Sequence, residues 1–188
     1  SFVVEGLEPG TPYVFRVRAF AGEEYSGYTA EVTMKTRPLS TEMIDIVTYE
    51  PDYTWSVDTG VWDMQTLNWN NMVAAYTDSS KVLIAPLADV VITLNDTIAP
   101  SAIVVNSDAQ VTLSGTGSIV GSGSVNKAGG GTLVMGTSNT YTGSTVLYGG
   151  TIEIPVLKNA AEPSSIGASE EFAQNWIWSG GTWLYTGG

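Results

Sequence analysis

Six tryptophans carry the most distinctive contact chemistry in this 188-residue chain: Trp55, Trp62 and Trp69 form one group, and Trp176, Trp178 and Trp183 another. An exposed indole stacks on the apolar face of a sugar ring. A buried one closes the end of a core, because it removes a large area from water. Trp176 and Trp178 alternate, so they share one face of a strand, and Trp183 lies just past a Gly-Gly turn. These three are the candidate carbohydrate contacts. Core or end-cap packing is the simpler alternative, and for Trp62 and Trp69 it is the preferred one.

Other chemistries are narrowed by what the chain lacks. It has no His and no Cys, which removes Ser-His-Asp triads, cysteine nucleophiles, disulfides and imidazole or thiolate metal sites. A uronate lyase needs Arg or Lys to neutralise a carboxylate and abstract a proton. Between Pro38 and Gly188 there is no Arg and only Lys81, Lys127 and Lys158. Lys127 sits inside a repeat, which favours a structural or surface role. Paired acids for glycoside hydrolysis would have to be Asp58 with Asp63, or Glu170 with Glu171; isolated surface acids explain these equally and more simply. Asp52, Asp58, Asp63 and Asp78 supply hard oxygen ligands for calcium, but no Asp-x-Asp-x-Asp loop gathers them. No cofactor is therefore expected. The net charge of −12 leaves no basic stripe for nucleic acid or an anionic membrane. No apolar run is long enough for a transmembrane helix.

The elements that must position these residues are short strands. Gly-Gly-Thr followed by an alternating apolar strand occurs at Gly130 to Met135, Gly149 to Ile154 and Gly180 to Tyr185. A repeat of about 20 residues is the length of one coil of a β-solenoid, whose units bury their apolar face only against neighbours. Further alternations run over Lys81 to Ala85, Val90 to Leu94, Ala102 to Val105, Val111 to Leu113, Thr145 to Leu147 and Trp176 to Trp178. Glycine provides the positive φ of the corners, and Asn139 and Asn159 are further corner or ladder candidates. Pro155 and Pro163 bracket an insertion, in which Ser169 to Gln174 reads as one capped helical turn. Upstream, Tyr13 to Phe20 and Thr29 to Thr36 alternate as half-buried strands, with Arg16 and Arg18 facing solvent. Arg37 to Thr41 reads as a linker, and Ile44 to Tyr49 as a lead-in strand.

Two resemblances attach to these segments. Leu7-Glu8-Pro9-Gly10-Thr11-Pro12-Tyr13 resembles the tyrosine-corner segment of a fibronectin type III module, with Leu7, Pro9 and Tyr13 in the motif positions. It covers only the C-terminal half of such a module, which implies that the chain is a piece of a longer one. Gly121 to Glu153 (GSGSVNKAGGGTLVMGTSNTYTGSTVLYGGTIE) resembles the autotransporter-associated β-strand repeat of bacterial passenger proteins, with Ile152 where that repeat has Leu. Trp62-Asp63 and Asn68-Trp69 are similar to the opening of modules that carry it. The second resemblance implies a right-handed parallel β-helix in a secreted or surface-displayed protein. The pairing of the two also occurs in polysaccharide-degrading proteins.

The expected fold is thus all-β: part of a fibronectin type III sandwich at 1–36, a linker and lead-in strand at 37–61, and a β-helical repeat region at 62–188 that continues beyond the fragment. The expected function is a non-catalytic structural and display segment on the exterior of the bacterial outer membrane, whose partners are the neighbouring domains of the same chain. A glycan-binding module using the C-terminal tryptophans is the first alternative. Part of a polysaccharide-degrading enzyme whose active site lies elsewhere is the second.

Overall fold

The computed structural model describes residues 12–22, 24–35, 45–46, 48–170 and 175–187. The chain divides into two compact units, residues 1–43 and 44–188.

In the first unit, β1 (Pro12–Phe15) pairs antiparallel with β4 (Val32–Lys35), and β2 (Phe20–Ala21) pairs with β3 (Glu24–Tyr25) across the turn at Gly22. The strand expected over Tyr13 to Phe20 therefore stops at Phe15. Arg16 and Arg18 are exposed, as their alternation implies, and lie 4.3 Å and 3.9 Å from the ring centres of Tyr28 and Tyr25. Leu7 and Pro9 lie outside the described residues.

The second unit is a parallel β-helix. Its first sheet stacks β5 (Tyr53–Thr54), β7 (Lys81–Ile84), β10 (Ala102–Asn106), β13 (Ser124–Ala128), β15 (Thr145–Leu147) and β17 (Trp176–Trp178). Its second stacks β6 (Thr59–Val61), β8 (Val90–Thr93), β11 (Val111–Ser114), β14 (Thr132–Met135), β16 (Thr151–Ile154) and β18 (Thr182–Tyr185). Every pairing in both sheets is parallel. A short third side joins β9 (Thr97–Ile98) to β12 (Ser118–Ile119). One coil thus runs from a first-sheet strand through a corner to a second-sheet strand, and returns by the third side.

Register turns the sequence alternation into columns. Val82, Ile103 and Val125 stack inward on the first sheet, and beside them Ile84, Val105, Lys127 and Leu147. On the second sheet Val90, Val111, Leu133 and Ile152 form one column, and Ile92, Leu113, Met135 and Ile154 another. Ile98 and Ile119 close the third side. β-Branched and leucine side chains suit such columns, because identical shapes meet at the strand spacing. The corner between the sheets needs a left-handed residue: Gly150 has φ +73° and Gly181 φ +76°. A Cβ on Gly150 would lie 2.3 Å from the Gly131 carbonyl oxygen, so no other residue fits there.

Each apolar alternation expected from Lys81 onward forms a strand. The start of the solenoid differs. Among the described residues of 44–49 no strand forms, and the first coil begins instead at β5 and β6, ahead of Trp62. Asn139 and Asn159 are not left-handed. Asn70 (φ +53°), Asn71 (φ +61°) and Met72 (φ +62°) are. The helical turn expected at Ser169 to Gln174 falls largely on residues 171–174, outside the described ones. The first sheet is also buried on its outer side, where Val104, Asn126 and Val146 are fully covered. This accounts for the unbroken apolar run of β10, a pattern typical of parallel strands covered on both faces.

Leu133 is fully buried between Val111 and Ile152. An unpaired carboxylate there has no partner and no water. Leu133→Asp is expected to destabilise the β-helix by roughly 3–5 kcal/mol, and a thermal melt unchanged from the parent would refute this inward placement.

Candidate functional site

The inward columns change character at both ends of the stack. In the middle coils they are aliphatic apart from Lys127 and Thr145. In the last coil Trp176 and Trp178 continue the first-sheet columns, and Trp183 and Tyr185 the second. Trp176 and Trp183 meet edge to face, with ring centres 4.9 Å apart and planes at 89°, and pack against the core. These two candidate sugar contacts are therefore not coplanar. Trp178 shares the inner register of Trp176, as the alternation implies, but is 66% exposed, with its indole N–H donating to the Gly181 carbonyl at 3.0 Å. Tyr185, at the far end of β18, is 54% exposed. Among the described residues, Trp178 and Tyr185 are thus the aromatic rings of this coil that stand exposed.

The first coil is closed in the opposite way. Trp62, Trp69 and Tyr76 are fully buried and Trp55 nearly so. Trp69 is met edge to face by Trp55 at 5.0 Å and 85°, and by Trp62 at 5.0 Å and 68°. The buried indole N–H groups of Trp55, Trp62 and Trp69 have no oxygen acceptor. Packing is the role of this group.

The carboxylates do not converge. Among the described residues no three acidic side chains gather as a metal site would require. They are spent on the backbone instead, and in a regular way. Asp52 accepts from the Lys81 N–H at 2.8 Å, Asp78 from Ala99 at 2.7 Å, Asp89 from Gln110 at 2.8 Å and Asp108 from Gly130 at 2.6 Å. Each joins one coil to the next at a place where the strand ladder has stopped. Asp63 turns onto its own loop. Partial burial works to raise its carboxyl, but the Thr66 and Gln65 N–H groups and the Thr66 hydroxyl outweigh that and hold it below the usual carboxylate range. A carboxyl kept ionised in this way does not serve as a general acid. Of the other acid pair, Glu171 lies outside the described residues.

Lys127 is the group whose placement the alternation gives least warning of. It occupies an inner column between Val105 and Leu147 and is fully buried. Its ammonium donates to the carbonyl oxygens of Ser107 at 3.4 Å, Gly129 at 3.0 Å and Ala128, so it fills the corner between the sheets and ties two coils together. A Cβ on Gly150, in the coil above, would approach it to 2.9 Å. Burial pushes its pKa down to about 8, partly opposed by Asp108. The signal that could have placed it inward is its strict register with Val105 and Leu147. Asn139 is a second buried polar staple. Its side chain accepts from the Ile119 N–H at 2.9 Å and donates to the Ser165 carbonyl at 2.8 Å, which links the coils on either side of it.

Part of this stack matches a known protein family. Residues 125–154 match the passenger-associated transport repeat. The matched passenger repeat begins in β13 and ends with β16, so it holds Lys127, Asn139 and the Gly150 corner. Over 73 residues, 38% of this chain, the sequence is 41% identical to the adhesin BmaC autotransporter of Brucella suis biovar 1 (strain 1330). The match spans 2% of that adhesin's length. No solved structure matches the chain. The passenger repeat and the likeness to an autotransporter adhesin identify a secreted, cell-surface exposed protein.

Lys127 sets a pH dependence whose sign follows from its burial. In the unfolded chain the lysine titrates near 10.5, and in the fold near 8. Between those values the unfolded state holds more protons, so stability rises with pH; below pH 8 both states are protonated and the cost of the buried charge is full. Burial also raises Tyr49, Tyr76 and Tyr141, which turns the trend downward once unfolded tyrosines ionise. Denaturant titrations from about pH 7.5 to about pH 9.5 should show the parent gaining on the order of 1 kcal/mol. Lys127→Met should flatten that slope. Equal slopes in the two proteins would show that Lys127 is not the group responsible.

Proposed function

We propose that this chain is a non-catalytic spacer and display segment of a large surface-exposed passenger protein, and that its β-helix holds neighbouring domains at a fixed distance and orientation from the cell. The observation that carries the reading is the register of the repeat. The passenger repeat coincides with the middle of an uninterrupted parallel stack, and its polar residues staple one coil to the next rather than converge on a cleft. A stack of this kind is stiff along its axis, because each coil is fixed by its neighbours. In the first unit, the antiparallel pairing of β1 with β4 and the Tyr13 motif support a fibronectin-type module as one of the neighbours it displays.

A second reading rests on one observation, the exposure of Trp178. The relative is called an adhesin, and an aromatic surface on a displayed protein suits contact with glycans. In this reading Trp178 is the stacking ring, while Trp176 and Trp183 pack against the core.

Two measurements separate these roles. Replacing residues 81–154 in the parent by an unrelated β-helix with the same number of coils should leave surface display and the reach of the outer domains intact. A displayed protein that has lost its biological activity through the exchange would overturn the spacer reading. For the glycan reading, tryptophan fluorescence titrated with a panel of polysaccharides should respond in the parent and not in Trp178→Ala; silence across the panel removes it.

A further inference from the structure

Among the described residues Lys127 is the one charged side chain that is buried, and it stands at the corner whose backbone is least specified. After β13 the chain turns through Gly129, Gly130 and Gly131. Close seating requires glycine there: a Cβ on Gly129 would strike the Ser107 carbonyl oxygen, and one on Gly131 that of Ala109. Three glycines in a row also leave the corner no side chain of its own, on a backbone that tolerates many conformations. The same corner one coil earlier is held by side chains. Its Ser107 hydroxyl accepts from the Ala109 N–H at 3.0 Å and donates to the Pro86 carbonyl at 2.8 Å.

The strand pattern does not complete the specification. A slip of one residue between β10 and β13 would turn Val125 outward, and burial of the inner face forbids it. A slip of two residues keeps every inward side chain inward. Val82, Ile103 and Val125 in one column, and Ile84, Val105 and Leu147 in the other, differ little in size, so the columns barely oppose it.

What the slip does change is the surroundings of Lys127. In the observed register it lies against Val105, and its ammonium reaches the carbonyl oxygens of Ser107 at 3.4 Å, of Gly129 at 3.0 Å and of Ala128. Slipped toward the strand interior it would lie against Ile103, where the backbone carbonyls are held in the ladder between strands. An ammonium without acceptors in an aliphatic layer is costly. Slipped the other way, the Gly130 N–H would leave the Asp108 carboxylate that accepts from it at 2.6 Å. Buried polar groups that lower stability while singling out one alignment are best attested in this role. We propose that Lys127 is a register pin: it costs the β-helix stability and, by making the slipped alignment costlier still, fixes how β13 seats on β10.

The chain has no cysteine, so introduced pairs report the register without background. Ala102→Cys with Ser124→Cys marks the observed alignment, because these residues are direct partners. Ala102→Cys with Asn126→Cys marks the two-residue slip. In the observed register this second pair is a diagonal of about 7–8 Å, too long for a disulfide. Each pair is refolded from denaturant under oxidising conditions, with Lys127 and with Lys127→Met. With Lys127 the direct pair should crosslink and the diagonal pair should not. With Lys127→Met the diagonal pair should give at least about tenfold more crosslinked product, while circular dichroism shows a folded chain that melts no lower than the parent at neutral pH. A diagonal pair that stays as silent in Lys127→Met as in the parent overturns the proposal. So does a direct pair that fails to crosslink with Lys127 in place. Loss of folding in Lys127→Met and in Lys127→Leu alike also overturns it, because the lysine would then be needed for stability rather than for alignment.

Discussion

A coil of this solenoid cannot bury its own inner face. Its apolar side chains point at an axis that only the coils above and below can cover, so stability is a sum of coil-on-coil contacts rather than a property of any one segment. The rest of the structure follows from this. The inner columns must present matched shapes at each step, hence Val90, Val111, Leu133 and Ile152 in one line. The first coil must be treated differently from the middle, because among the described residues it has a neighbouring coil on one side only. Large aromatic rings take over the columns there. Each covers more of the aliphatic layer beneath it than a valine or leucine would.

The same constraint governs the polar residues. A strand ladder supplies inter-coil hydrogen bonds along the sheets, while at the corners only some backbone groups pair between coils and the remaining N–H and C=O groups need other partners. Asp52, Asp78, Asp89 and Asp108 provide them by accepting from the backbone of the following coil, and Asn139 accepts from the Ile119 N–H of the preceding coil. Lys127 does the converse, donating to corner carbonyls. Part of the chain's acidity is therefore structural. Four of its carboxylates are corner acceptors rather than a field aimed at a partner. Lys127 shows the cost of this solution. An ammonium in an aliphatic column loses its hydration, and only carbonyl oxygens and the charge of Asp108 compensate.

Much of the solenoid was legible in the sequence because the periodicity that defines it is local. An alternating tetrapeptide that starts at the Thr of Gly-Gly-Thr has few other ways to fold, and Thr132–Met135, Thr151–Ile154 and Thr182–Tyr185 form strands as the alternation requires. What the sequence hid is what depends on register between distant segments. β5 and β6 are too short to show a pattern, and they are strands only because β7 and β8 lie beside them. In β13 the run Ser-Val-Asn-Lys-Ala reads as polar, and only its alignment with β10 sends Lys127 inward. The tryptophans were ambiguous for the same reason. Alternation puts Trp176 and Trp178 on one face, but which face, and whether anything covers it, is set by the neighbouring coil.

The two insertions show where such a fold can vary. A residue added inside a strand would throw every column above it out of register, whereas a loop added at a corner leaves the columns aligned. Both long insertions sit at corners, between β6 and β7 and between β16 and β17, and the parallel register resumes after each. Neither is a free loop. The first folds back over the edges of β5 and β6 through Asn68 and Asn70. The second returns to the third side, where Ser164 bridges Asn139 and Ser165 and Ile166 are buried. An insertion that stays in contact with the stack adds local cover without disturbing its axis. Coils of one pattern can thus serve as a uniform shaft, while the corners carry whatever distinguishes one end or one level of the protein from another.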